Sequence, residues 1–406
     1  MIAFLIENGA DVNLVDGFKW TPLTKAVNKG NMKIVMKLLQ NGANLNIYYE
    51  GIKSPLSRAI HDDKEELIAF LIENGADVNM ADGHKWTPIN SAIFKGKKNI
   101  IKKLLQVGAN PNLYLEGYFS PLNRAIRDDK TELITFLIKN GADINMVDGL
   151  KLTPLAKAID IENIEIVRKL LENGANQNIY VEGSLSPVNR SIFKDKSETL
   201  TLLLENGADV NMLDGLNWTP ITMAIHKGSI EIVKKLLQHD ANPNLLPQNC
   251  NSPLNRAIFE DKIEIVTLLI KNGTDVNLID HLGWSPLCLS INEDKFDIVE
   301  ILIVSGANPN LMDMGGRSPL SKAIIAQSLK IVTFLVENGS NLNALDGDGY
   351  SPFHKAVRSD NANIVQYFVQ NGAELRAKNV DGCDALEVAL NNKKHNGAKI
   401  LLYKMF

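Results

Sequence analysis

Arginine recurs at one fixed position along this sequence. Arg58, Arg124, Arg190 and Arg256 each lie three residues after a proline, in SPLSRAI, SPLNRAI, SPVNRSI and SPLNRAI, at a spacing of 66 residues. A row of guanidinium groups can bind the carboxylates of an acidic partner, because each planar group presents several hydrogen-bond donors. Duplication of a 66-residue segment would leave the same spacing, so both interpretations stay open.

Aromatic side chains form two further rows. All four tryptophans stand immediately before Thr-Pro or Ser-Pro, and tyrosines share a position in the alternate segments. Trp and Tyr are enriched among the residues that dominate binding energy, so they are candidate partner anchors; the alternative is packing on neighbouring loops. The candidate partner-binding residues are Trp20, Trp86, Trp218, Trp284, Tyr48, Tyr114, Tyr180, Arg58, Arg124, Arg190 and Arg256. A row of aspartates (Asp16, Asp82, Asp148, Asp214 and Asp280) is interpreted as ordinary turn chemistry.

Catalysis needs convergent groups, and the sequence contains no motif that supplies them. The seven histidines form no HExxH pair, and neither a phosphate-binding glycine motif nor a nucleophile elbow is present. The three cysteines, Cys250, Cys288 and Cys383, form no CxxC motif. We therefore predict a protein that is not an enzyme, with no cofactor and no metal, in a reducing, cytoplasmic compartment.

Charge and hydropathy exclude two classes of partner. The net charge of −4 at pH 7 gives no electrostatic case for nucleic-acid binding. No apolar run approaches the roughly 18 residues that span a bilayer, so we expect no membrane insertion. Apolar residues make up 45% of the 406 residues, enough for a large core.

The rows are positioned by a repeat of 33 residues. A proline after Thr or Ser recurs eleven times without slipping, from Pro22 to Pro352. Residues one, four and five places after it are apolar or small, as in TPLTKAV, and share one face of a short helix. A second amphipathic helix follows, as in MKIVMKLLQNG. It ends at a recurrent glycine, replaced only by Asp240, which we expect in the left-handed conformation. Two such helices cannot bury both apolar faces alone, so the copies are expected to stack as a solenoid.

The repeated run resembles the ankyrin repeat. IAFLIENGADVNMADGHKWTPINSA, over residues 68–92, is a clear example, and the likeness covers essentially all 406 residues. It implies an all-α fold: a solenoid of stacked helix–turn–helix units with projecting hairpin-like loops, here called fingers. The predicted organisation is a single array over 1–406, built of 33-residue repeats arranged as 66-residue pairs. It comprises a truncated half-repeat (1–18), eleven complete repeats (19–383) and a degenerate C-terminal capping repeat (384–406).

The sequence departs from the ankyrin pattern at two positions. The family histidine after TPL is present only at His354, and its inter-repeat hydrogen bonds are expected from Asn90, Asn123, Asn189 and Asn255. The family glycine near the finger tip appears only from Gly283 onward, so the earlier fingers are expected to turn differently. The residues at or near those tips are Lys19, Ile52, Lys85, Tyr118, Lys151, Ser184, Asn217 and Asn249.

The resemblance implies a non-catalytic scaffold that holds a partner protein along a concave surface of fingers and first helices, and we expect a monomer. Two alternatives stay open: a substrate-selecting adaptor region of a larger protein (a ubiquitin-ligase subunit or a secreted effector), and a passive structural spacer.

Helical periodicity makes a definite prediction for the arginine row. Arg124 lies about 200° round the helix from the core-facing Leu122, so the arginines are expected to face solvent and to require an acidic stripe on the partner. An acidic residue follows four positions after Arg58, Arg124 and Arg256, which predicts weak ion pairs on the same helix.

Overall fold

The structure, a computed structural model, describes residues 6, 8–246, 248 and 250–405. It contains two compact units, Met1–Ala208 and Asp209–Phe406, called here the N-terminal and C-terminal units. The regular elements among the described residues are helices, and no strand occurs among them. Two kinds of helix alternate: first helices of seven or eight residues, and second helices of nine residues, or eleven in the last case.

The helix bounds follow the 33-residue period in both units. In the N-terminal unit the first helices are Pro22–Lys29, Pro55–His61, Pro88–Lys95, Pro121–Arg127, Pro154–Asp160 and Pro187–Phe193. The second helices there are Met32–Gln40, Glu65–Glu73, Lys98–Gln106, Thr131–Lys139, Ile164–Glu172 and Ser197–Glu205. In the C-terminal unit the first helices are Pro220–Lys227, Pro253–Phe259, Pro286–Asn292, Pro319–Ile325, Pro352–Ser359 and Ala385–Asn391. The second helices there are Ile230–Gln238, Ile263–Lys271, Phe296–Val304, Leu329–Glu337, Ala362–Gln370 and His395–Met405.

Within each unit, a first helix packs against the second helix of its own repeat and against the first helix of the next repeat. Leu23, Ala26 and Val27, the three positions predicted to share a buried face, are all buried. The small residue four places after the proline, such as Ala92, is fully buried and lets neighbouring first helices approach closely. The predicted all-α stack of helix pairs is therefore confirmed.

The helix ends follow from single residues. Thr87 precedes the proline of its helix, and its side chain accepts a hydrogen bond from the N–H of Asn90, which caps the first turn. Second helices end at a left-handed residue, as at Gly42 with φ 81°. Asp240 replaces that glycine with φ 65°, so the expectation that it adopts the same conformation is confirmed.

A recurrent asparagine ties consecutive repeats together. The side-chain amide of Asn112 donates to the carbonyl of Gly141 (3.0 Å), and its oxygen accepts from the N–H of Asp143 (2.8 Å). The same two bonds recur at Asn46, Asn79, Asn244, Asn277 and Asn310. The asparagine thus satisfies backbone groups just beyond the next second helix.

The fingers that carry the recurrent aspartate turn around its side chain. In one of them the carboxylate of Asp82 accepts from the N–H groups of His84 (2.9 Å) and Trp86 (3.2 Å), and its own N–H donates to the carbonyl of Trp86. The interpretation of the aspartate row as turn chemistry is confirmed for this side chain, which is buried.

The different turn expected for the earlier fingers occurs in only every second one of them. Lys19, Lys85, Lys151 and Asn217 adopt positive φ at the position that Gly283 holds later, so those fingers keep one turn with a non-glycine residue. In the other fingers Gly51, Gly117 and Gly183 carry positive φ one position earlier. Asn249 lies outside the described residues.

Neighbouring fingers also bond directly. The N–H of Gly83 donates to the carbonyl of Ile52, and that of Gly51 donates to the carbonyl of Gly83, both at 2.9 Å. A Cβ atom at Gly83 would lie 2.0 Å from the carbonyl oxygen of Tyr49, so only glycine fits this contact.

The asparagines that replace the histidine make the expected bonds between repeats. The amide of Asn123 donates to the carbonyl of Leu152 (2.9 Å), 29 residues on, as does Asn90 to Phe119 (3.4 Å). The ring of His354 contacts the carbonyl of Cys383 at the same offset. Asn255 bonds to Trp284 in the same way, and Asn189 is buried at the equivalent position.

The finger aspartate takes part in the same junction. The amides of Asn123 and Asn255 also donate to the carboxylates of Asp148 and Asp280, each at 2.7 Å. Sixty-six residues before the first pair, Ser57 stands opposite Asp82. Ser57 Oγ and Asp82 Oδ2 are buried and have no hydrogen-bond partner within the part of the chain that the structure describes.

Ser57→Asn should therefore stabilise the protein, because it supplies the bond to Asp82 that Asn123 and Asn255 make to their aspartates. We expect the free energy of unfolding to rise by about 1 kcal/mol, measured as a higher urea midpoint at unchanged slope. Ser321→Asn is the control. Ser321 and Asp346 hold the same positions as Ser57 and Asp82, but Asp346 already accepts a hydrogen bond from Lys355 (2.5 Å). Equal gains in both variants, or a loss at Ser57, would contradict the argument.

Candidate functional site

The predicted tryptophan and arginine rows meet in one set of contacts. The guanidinium carbon of Arg58 lies 4.7 Å from the ring centroid of Trp20, and that of Arg124 lies 4.0 Å from Trp86. In the C-terminal unit Arg256 covers Trp218 at 4.5 Å, and the amine of Lys322 covers Trp284 at 4.1 Å. In each case the cation belongs to the repeat after its ring. These ring–cation pairs link consecutive repeats through the attraction of a cation to an aromatic face.

In each unit the ring–cation pairs lie on the surface formed by the fingers and the adjoining side of the first helices, called here the finger–helix face. Each tryptophan comes from the base of a finger, two residues before the proline, and each cation comes from the middle of a first helix. The tryptophans are half-buried, so one face of the indole is covered and part of the ring stays accessible.

The expectation that the arginines face solvent is wrong for Arg124, which is only 6% exposed, while Arg58, Arg190 and Arg256 are half-buried. The physical reason lies in the preceding repeat of the stack. A helical wheel places a side chain relative to its own helix, but Arg124 is covered by the indole of Trp86 and the ring of Phe94 from the preceding repeat.

The predicted ion pairs on the same helix are present. Arg124 Nε donates to Asp128 at 3.1 Å, Arg256 Nε lies 2.6 Å from Glu260, and Arg58 lies 4.0 Å from Asp62. For Arg124 and Arg256, a ring on one side and a carboxylate on another restrict the guanidinium, which reduces the rotamer freedom it would lose on binding.

Arg190 differs from the other three because its repeat junction has no tryptophan. Leu152 stands at the ring position, and Arg190 instead donates to both carboxylate oxygens of Asp160, at 2.9 and 3.1 Å. The arginine position is therefore held by an anionic partner where the aromatic one is missing.

The tyrosine row behaves differently from the tryptophan row. Tyr48 and Tyr180 are exposed, whereas the hydroxyl of Tyr114 donates to the carbonyl of Val147 in the next finger (3.0 Å). The structure thus assigns a structural contact to Tyr114 and leaves the other two rings accessible on their fingers.

A further row of apolar side chains was missed by the sequence reasoning. Phe18, Leu150, Leu216 and Leu282 occupy the same position at finger tips, two residues before the ring position, and are between 41% and 80% exposed. His84 holds the position in the remaining finger of this type. The recurrence of apolar residues at this position of the 33-residue repeat is visible in the sequence, but apolar residues were assigned only to the core.

Lysines that occupy the arginine position, three residues after the proline, bind carboxylates of the fingers. Lys322 lies 2.7 Å from Asp313, and both side chains are buried; Lys25 and Asp16 make the same contact at 2.5 Å near the surface. Burial alone would raise the pKa of Asp313, but the hydrogen bonds from Lys322 and from the N–H of Arg317 hold that pKa below its usual value of 3.8.

The described part of the chain offers little else that could act chemically. No group of three side chains that could hold a metal ion occurs among those residues. Burial raises the pKa of the Cys288 thiol to about 11, which keeps it protonated and unreactive at neutral pH. None of the helices described is long and apolar enough to cross a membrane.

Arg124→Glu should destabilise the protein, because it places a buried carboxylate against Asp128 and the negative face of the indole. We expect the free energy of unfolding of the affected repeats to fall by about 3 kcal/mol or more, measured by urea unfolding at pH 7. Lys102→Glu, on an exposed part of a second helix, should change it by less than about 0.5 kcal/mol. A similar small effect at both positions would refute the burial argument.

Asp313→Asn should leave Lys322 buried and unpaired, lowering the free energy of unfolding at pH 7 by about 3 kcal/mol. The lowered pKa means that the pair stabilises fully above pH 3.8 and that this contribution is lost as the pH falls through the folded-state value. The difference between wild type and variant should therefore shrink below pH 3.8. Asp16→Asn, in the exposed pair, should cost less; a pH-independent difference would count against the ion pair.

Comparison with known proteins agrees with this arrangement. Family models described as "Ankyrin repeats (3 copies)" match residues 1–82, 50–114, 89–181, 122–214, 188–280 and 272–346, and one described as "Ankyrin repeats (many copies)" matches 335–389. A comparison with curated proteins gives no match. Among solved structures, the crystal structure of the ankyrin repeat domain of Bcl-3, described as a unique member of the IkappaB protein family, is similar. It has a TM-score of 0.50 and 23% identity, over 55% of this chain and 100% of that one, which shows the fold alone. With 33-residue helix pairs, bonded fingers and family models over residues 1–389, the chain belongs to the ankyrin-repeat family.

Proposed function

We propose that this chain is a non-catalytic scaffold that binds a partner protein along the finger–helix face. Ankyrin repeats are in general protein-interaction modules, and the observation that carries the proposal for this chain is the finger-tip row. Phe18, Leu150, Leu216 and Leu282 are exposed apolar side chains at one repeated position. Their exposure leaves much of their apolar surface for a partner to cover.

The ring–cation pairs complement that row. Each offers the accessible part of an indole beside a cation whose orientation is already fixed, and rigid aromatic and arginine side chains are the usual anchors of an interface. Trp20, Trp86, Trp218 and Trp284 are proposed as anchors together with Arg58, Arg190 and Arg256 and the exposed rings of Tyr48 and Tyr180. Arg124 and Tyr114 contribute mainly by holding their neighbours in place.

The expected partner carries acidic residues next to apolar ones. Cations recur along the first helices, so an acidic stripe on the partner would be attracted at this face. A passive spacer would gain nothing from apolar finger tips. We expect the chain to act as a monomer in the cytoplasm, whether alone or as the substrate-selecting part of a larger protein.

The test is selection of peptides from a random displayed library on the immobilised full chain. A Leu150→Ser, Leu216→Ser, Leu282→Ser variant should lose about ten-fold or more of the affinity for the enriched consensus, because it removes the apolar tips. The matched control changes Met36, Val107 and Val304 to Ser. These side chains are also exposed but belong to the second helices or the residue that ends one.

Circular dichroism and the urea midpoint verify that both variants remain folded. If the finger-tip variant binds the consensus peptide with unchanged affinity, the finger tips are not the binding site. Failure to enrich any consensus would favour the spacer.

A further inference from the structure

One part of the finger–helix face forms a distinct cavity. In the N-terminal unit a notch of about 350 Å³ opens beside Trp86, and its walls include Lys53, His61, His84, Phe94 and Tyr118. We call it the Trp86 notch. Its size is at the lower end of ligand pockets, enough for one or two side chains and small for a cofactor.

The rings of the notch are held in place from behind. Trp86 and Phe94 meet edge to face with centroids 5.2 Å apart, and the guanidinium of Arg124 lies 4.0 Å from the first ring and 5.1 Å from the second. Phe94 and Tyr118 are exposed apolar rings. The apolar wall is therefore preorganised, and an incoming ring would contact it without first ordering it.

The rim of the notch is basic. Lys53, His61 and His84 line it. His61 Nδ1 already lies 2.9 Å from Asp62 Oδ1, so Lys53 and His84 are the groups that the rim offers to a ligand. Lys53 Nζ lies 6.0 Å from the centroid of Trp86. Burial lowers the pKa of Lys53, and the charges of Arg58 and Lys95 lower it further, against the opposing effects of Asp82 and Asp62. A carboxylate brought to this rim would compensate a cation that has lost part of its hydration.

The notch is not a simple consequence of the repeat. Six repeats later, around Trp284, the positions of Lys53, His61, His84, Phe94 and Tyr118 are filled by Asn251, Phe259, Leu282, Asn292 and Gly316. Trp284 keeps its cation, Lys322, so the ring–cation pair is common to both places. The basic rim and the extra rings around Trp86 are therefore not required for the pair itself.

We infer that the Trp86 notch is the pocket for an aromatic side chain of the partner protein flanked by acidic residues. The inference rests on the proposed function and makes it specific. The aromatic side chain contacts Trp86, Phe94 and Tyr118, and the flanking carboxylates lie against Lys53 and His84. Charge complementarity selects an acidic peptide over a basic one, and the three rings select an aromatic centre over a small one.

Defined peptides test this inference on the full chain. The probe is a blocked pentapeptide with a central phenylalanine and two glutamates on each side, titrated by isothermal calorimetry. Two comparison peptides replace the glutamates by lysines or the phenylalanine by alanine. We expect saturable binding of the probe, and binding weaker by about ten-fold or more for each comparison peptide.

Matched variants locate the site. Lys53→Glu and Tyr118→Ser should each weaken binding of the probe by about ten-fold, since one reverses the rim charge and the other removes a wall ring. Asn251→Glu makes the same charge change at the same repeat position beside Trp284 and should leave binding unchanged. Circular dichroism and urea midpoints confirm that each variant folds.

The outcomes separate the two proposals. No saturable binding of the probe, or equal binding by the lysine peptide, overturns the notch. If a short oligothymidylate binds more tightly than the probe and displaces it, the ligand of the notch is a nucleic acid and not a peptide. If the Lys53→Glu and Tyr118→Ser variants still bind the consensus peptide selected from the library with unchanged affinity, the scaffold proposal is supported and the notch proposal is refuted.

Discussion

Burial between repeats is the constraint on which the rest of this structure depends. A helix pair of seven and nine residues has two apolar faces and cannot cover both by itself. The core forms where one repeat packs against the next. The other recurrent contacts form at the same junctions: the two hydrogen bonds of Asn112, the finger bond at Gly83 and the ring–cation pair of Trp86 with Arg124. The regularity of the sequence is the regularity of this junction.

Sequence reasoning succeeded where a residue's role is local and failed where its partner lies one repeat away. The proline and apolar positions, and the left-handed Asp240, follow from the geometry of one helix and its end. The burial of Arg124 does not, because a helical wheel carries no information about Trp86 on the neighbouring repeat. The constant offset between the two rows was visible in the sequence, but only the stacking geometry gives it meaning. The finger-tip leucines were missed because exposure cannot be read from residue type.

The ring–cation pairs join stability to recognition. Each pair uses one face of an indole and orients a cation, and part of the indole remains accessible at the finger–helix face. At the junction of Arg190, Leu152 replaces the tryptophan and Asp160 binds the guanidinium, so the arginine is held where that tryptophan is missing. A surface assembled in this way is already rigid, so a partner would lose less freedom on binding to it than on binding to mobile side chains.

Positions that differ between equivalent repeats are the most informative ones in a repeat protein. A residue shared by equivalent junctions, such as the cation over each tryptophan, is sufficiently explained by stacking. A residue that departs from its equivalents is free of that requirement, as Lys53 is when compared with Asn251. Around Trp86 several such departures line one cavity, with aromatic rings inside and the side chains of Lys53 and two histidines at the rim. Their shared location at one cavity is the reason to assign them to a ligand.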